Sequence, residues 1–124
     1  MSSQVVRIFI TAALFVHGVG HLLGFFMPAR SWLLPGVAEP TLRIVGGALW
    51  LLIMAGFVAS SLGYFGLVPP GNWWRPVTLA FAVLSLAGLI LFWGDWPAFN
   101  TVGAVGMNVA VLVALLWARW PALE

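Results

Sequence analysis

The residues best equipped for chemistry in this chain are two histidines, in the run His17-Gly-Val-Gly-His21-Leu-Leu-Gly24. An ionisable side chain inside an apolar run is costly, and it marks either function or a specific contact between helices. On a helix, residues four apart share one face at about 5–6 Å, so both imidazoles address whatever packs there. Gly20 and Gly24 form a GxxxG pair on nearly the same face, where missing side chains admit another helix or a flat ligand.

Three chemistries fit the pair. A neutral imidazole can bridge helices by hydrogen bonding to Asn108 or Ser85. It can orient a quinone, a lipid or another apolar molecule that carries a polar head. His17 and His21 can also ligate a metal or a haem iron, but they supply only half a tetrahedral set. The chain has no other histidine and no cysteine, and Asp95 is the one acid within range. Two histidines one turn apart cannot take opposite axial positions on one iron, so bis-histidine haem would need a second chain.

The elements that position these residues follow from composition. Of 124 residues, 63% are hydrophobic and only 6% charged, against roughly a quarter charged in a soluble domain. So few charges cannot cover a water-facing surface, and lipid must solvate most side chains. Five arginines and three acids are scattered singly, with no lysine and no basic run, which excludes nucleic acid as a partner. The absence of cysteine excludes disulfides, thiolate metal sites and iron–sulfur clusters.

A bilayer core needs about 20 helical residues per crossing, and the sequence offers four such stretches: Val5 to Met27, Thr41 to Gly66, Trp74 to Trp93 and Phe99 to Trp120. The first superficially resembles a secretory signal, but it runs on past Val16 without a small-x-small cleavage site and is read as a retained helix. The expectation is one all-α domain over residues 1–124, an integral membrane four-helix bundle with up-down-up-down topology and both termini on one side. Pro- and Gly-containing breaks separate the spans. The first, residues 28–40, holds three prolines and is long enough to fold over one membrane face as a lid. The second is Val68-Pro-Pro-Gly-Asn-Trp-Trp-Arg-Pro76, and the third, Gly94-Asp-Trp-Pro97, forces its helices to be antiparallel neighbours.

Arg7, Arg75 and Arg119 lie on the side of the termini, with Arg30 and Arg43 opposite. The positive-inside rule therefore places the termini in the cytoplasm and the protein in the cytoplasmic membrane. Seven of eight tryptophans fall at span ends or in breaks, as an interfacial belt would have them, and Trp50 inside the second span is the exception. Gly46, Gly47, Gly103 and Gly106 are read as letting the second and fourth helices pack closely. Counting from the span ends puts His17, Ser85 and Asn108 near the midplane of three helices, a polar centre if those faces converge. His21 lies one turn nearer the opposite surface, where Asp95 could orient or charge-pair with it.

Four short helices, a long loop after a Gly-rich first helix, the Arg43-Ile-Val-Gly-Gly47 opening of the second span and Pro121 soon after the fourth together resemble the DoxX-like superfamily. The likeness spans nearly the whole chain as topology. It implies a small bacterial or archaeal cytoplasmic-membrane protein, in some members a subunit of a quinone-linked oxidoreductase. It transfers no catalytic residue, and the His17/His21 pair is not part of the family pattern.

No nucleophile–base pair, no paired carboxylates and no phosphate-cradling loop is present, which argues against hydrolysis and phosphoryl transfer. Any redox chemistry would belong to a bound quinone or haem, with His17 or His21 as hydrogen-bond partner or ligand. The leading expectation is a non-catalytic subunit or apolar-ligand-binding protein, with a membrane oxidoreductase or a second copy as partner. The alternative is a homodimeric small transporter or channel. Small multidrug transporters are similar in length but rely on an acidic residue in the first helix. Here Glu39, Asp95 and Glu124 all fall outside the spans, leaving His17 as the proton carrier.

Overall fold

A backbone in lipid can be satisfied as helix or as closed barrel, and unbroken apolar runs of about 20 residues fit the helix. The structure, a computed structural model, describes residues 3–68 and 71–121. Pro69 and Pro70 of the second break, and Glu124, lie outside the described residues. Among the described residues there are helices and no strand: α1 (Ser3–Gly20), α2 (Leu23–Phe26), α3 (Glu39–Phe65), α4 (Trp74–Leu91) and α5 (Ala98–Leu112), the last continuing as a π-helical turn over Val113–Trp117. Four stretches, Ser3–Phe26, Glu39–Phe65, Trp74–Leu91 and Ala98–Trp117, are long and apolar enough to cross a membrane.

The ends are set locally. α3 starts from extended Ala38 with Pro40 in its first turn, where a missing N–H costs nothing. Its carbonyls at Leu62 and Gly63 are closed off by Gly66, whose φ of 90° is open to glycine. On the exposed face of its first turn, Arg43 donates to Glu39 at 2.9 Å.

The first span is not the single helix expected over 5–27. It breaks at His21-Leu22, where the amides of His21, Leu22, Gly24 and Phe25 bond three residues back instead of four. The carbonyl of His17, released by the His21 amide, is taken by the His21 side chain, Nδ1 to O at 2.9 Å. Histidine thus repairs the helix that it helps to break.

Packing follows chain order, α1 and α2 on α3, α3 on α4, and α4 on α5. The α1/α5 flank is not closed by comparable backbone approach. The core runs along α3 and α4 through Trp50, Ile53, Phe57, Ala82, Leu89 and Phe92, joined by Trp96. Outward faces are apolar too, as at Phe9, Val16, Ile44, Phe99, Val102 and Leu116. Hydroxyls are returned to backbone: Ser61 of α3 donates to the Thr11 carbonyl of α1 at 2.9 Å, and Thr78 to Trp74 at 2.6 Å.

The glycine expectations divide. Gly24 lies against the Trp50 indole, Gly46 against Phe92 and Gly47 against Phe25. Gly20, Gly103 and Gly106 have open space where a side chain would stand. Gly46/Gly47 and Gly103/Gly106 therefore do not join the second and fourth spans, since α3 meets aromatic rings there and α5 packs on α4. The close approach of α1 to α3 falls at Gly18, where a Cβ would come 2.8 Å from Phe57 Cβ. The tryptophan belt is also partial: Trp32, Trp93, Trp117 and Trp120 are exposed, but Trp74 and Trp96 are buried.

The first connection folds across the far end of α4, where Trp32 Nε1 donates to the Ile90 carbonyl at 2.9 Å and Arg30 N–H to Asp95 Oδ2 at 2.6 Å. The Ile90 carbonyl, one of the last of α4, thus accepts from Trp32 as well as from the Trp93 N–H at 3.3 Å.

Candidate functional site

His17 and His21 come from α1 and its break, Ser85 from the buried face of α4, and Asn108 from that of α5. His21 is 1% exposed, and Ser85 and Asn108 are fully buried. His17 Nε2 meets Asn108 Oδ1 at 2.9 Å, Asn108 Nδ2 donates to Ser85 Oγ at 2.7 Å, and Ser85 Oγ meets His21 Nε2 at 2.7 Å. With His21 Nδ1 on the His17 carbonyl, these four bonds close a ring that ties three spans together. A buried polar group left unpaired is costly, and here the ring gives each of the four side chains a partner.

An aromatic shell holds the imidazoles. Their centroids lie 4.8 Å apart, edge to face. Phe57 stacks on His21 at 5.6 Å and meets His17 edge-on at 4.7 Å. Trp50 lies 5.8 Å from His21 and 4.9 Å from Trp96. Its indole fills a slot between Gly24 and Gly88, which explains the one tryptophan deep inside a span.

Beside this ring, on the α1/α5 flank, a recess of about 200 Å³ is lined by His17, Gly20, His21, Trp96, Phe99, Asn100, Gly103 and Ala104. The recess is open on one side, and its volume exceeds the about 150 Å³ of an enclosed cavity that accepts benzene. Three of the four imidazole nitrogens are engaged, and His17 Nδ1 is the one without a hydrogen bond among the described residues. It is not sealed in, because Ser31 Oγ is the only enclosed side-chain N or O atom without a partner among the described residues. A single free nitrogen does not suit the pair to two-point ligation of a metal or haem iron while the ring stands. No three His, Asp or Glu side chains cluster among the described residues.

Of the residues expected at the site, His17, His21, Ser85 and Asn108 converge. Asp95 does not pair with His21, because both His21 nitrogens are engaged and the carboxylate takes the Arg30 amide. Burial raises the Asp95 carboxyl above its ordinary value, only partly offset by the Arg30 N–H and charge. Trp96, Phe99 and Asn100 line the recess without having been foreseen. Their only sequence signal is a position just after the third break, level with His21. No family model, no curated protein and no solved structure matches the chain.

Proposed function

We propose that this chain is a multi-pass protein of the cytoplasmic membrane, an up-down-up-down bundle with cytoplasmic termini. On this reading it holds an apolar molecule with a polar head, of the quinone/quinol class, in the α1/α5 recess against His17. It acts as a binding protein or non-catalytic subunit. The observation that carries the reading is one accessible imidazole nitrogen, braced by a fully bonded ring, beside a ring-sized recess in an apolar bundle. The four apolar spans support the membrane setting, and the DoxX-like resemblance supports a place beside a membrane oxidoreductase.

The test is titration of the purified protein in mild detergent with a short-chain benzoquinone and its quinol. At least one form should bind, and Gly103→Leu, which fills the recess from a position with no neighbour, should abolish binding while leaving the melting temperature unchanged. Loss of neither form's binding in that variant would refute the site. The alternative, a homodimeric transporter or channel, draws on the same face, since Gly20, Gly103 and Gly106 leave the close approach that a second helix would use. Native mass spectrometry separates the two, because transport by so small a bundle requires a dimer.

A further inference from the structure

The ring has a direction, and it fixes what His17 offers. The His17 carbonyl can only accept, so His21 Nδ1 must carry a proton, and in a neutral imidazole Nε2 is then bare. Ser85 has one hydroxyl proton, and at 2.7 Å it goes to that bare Nε2. Ser85 Oγ therefore receives from Asn108, which must present its NH₂ there and its carbonyl oxygen to His17. That oxygen can only accept, so His17 is protonated on Nε2. For neutral imidazoles no other assignment satisfies all four bonds, because reversing any one sets two lone pairs or two protons face to face.

The consequence falls on the atom left over. His17 Nδ1 is a bare lone pair that can accept a hydrogen bond and cannot give one. We infer, resting on the ligand-binding reading above, that the recess selects a molecule whose head donates a hydrogen bond: a phenol, a quinol or an alcohol, with an apolar body. A carbonyl-only head such as a quinone has no partner in His17 and is left to the exposed Asn100. Within a quinone/quinol couple, the reduced form is the one retained. The proton order also makes His17 a poor donor to any ligand, because moving its proton to Nδ1 would break the bond to Asn108 and leave that buried amide short of a partner.

Two probes that differ only in a methyl group replacing the hydroxyl proton test the donor: 4-butylphenol and its methyl ether, 4-butylanisole. The chain contains only two histidines, so ¹⁵N-histidine labelling of the full protein in detergent yields four ring nitrogens to assign. Expected are a protonated Nε2 and bare Nδ1 in His17, and the reverse in His21. 4-Butylphenol should shift the His17 Nδ1 resonance and bind about two- to ten-fold tighter than the ether, as one hydrogen bond implies. Gly103→Leu should abolish the shift without changing the tautomers. Equal binding of phenol and ether, both lost in Gly103→Leu, would overturn the donor requirement and leave the recess as a ligand site. A protonated Nδ1 in His17 would overturn the inference at its root. Binding of neither probe, nor of quinone or quinol, would overturn both this inference and the reading beneath it.

Discussion

Ser85 is the hub of the polar ring, because its hydroxyl is the only group that both gives to His21 and receives from Asn108. Removing it in Ser85→Ala leaves an imidazole nitrogen and an amide N–H buried and unpaired. The expected loss is about 1–3 kcal/mol, read as a lowered melting temperature in detergent. Ser85→Thr keeps the hydroxyl and should recover most of it, whereas a mere packing role for Ser85 would make Ala the milder change. At His17 the logic differs. His17→Gln can keep a donor toward Asn108 but loses the bare Nδ1, so it should preserve the fold better than it preserves ligand binding, as parallel melting and titration would reveal.

At the scale of elements, glycines decide which helices touch. Gly18 and Gly56 admit Phe57 and Phe81, and Gly24 admits the Trp50 indole, so a methyl group would collide with the Phe57 Cβ, the partly buried Phe81 ring or the buried Trp50 ring. Gly18→Ala and Gly56→Ala should each destabilise by about 1–3 kcal/mol. Gly106→Ala, with open space beyond it, should be neutral or slightly stabilising through helix propensity. Equal melting shifts across these variants would refute the packing described. The first connection is held by two backbone-directed bonds, from Trp32 and to Asp95. Asp95→Ala should expose the chain at Arg30 to trypsin, whereas Asp95→Asn, which keeps an acceptor oxygen, should protect it.

For the molecule as a whole, the decisive property is which residues share a side of the membrane. The chain is naturally free of cysteine, so single cysteines report without background. Gln4→Cys and Asn72→Cys should react with an impermeant maleimide from one side of sealed vesicles, and Gly36→Cys from the other. Labelling of Gln4→Cys and Gly36→Cys from the same side would rule out an odd number of crossings between them. The apolar exterior, with Phe99 at 88% exposed, makes aggregation on detergent removal the expected behaviour unless lipid is supplied.

Composition and the length of the apolar runs determined the helical class and the number and rough bounds of the spans, because unbroken runs of about 20 apolar residues suit a helical crossing and not a barrel strand. They also marked His17, His21, Ser85 and Asn108 as a potential centre, since the cost of a polar group in an apolar span is readable without coordinates. Tertiary structure alone decided the rest. Whether Gly24 or Gly20 meets a neighbour depends on helix rotation, which a break at His21 resets. The level of Asp95 along the bundle puts it near His21, but the Arg30 amide takes its carboxylate. The order of protons around the ring depends on which atom lies within 3 Å of which. That information resides in the approach of three helices and not in any one of them.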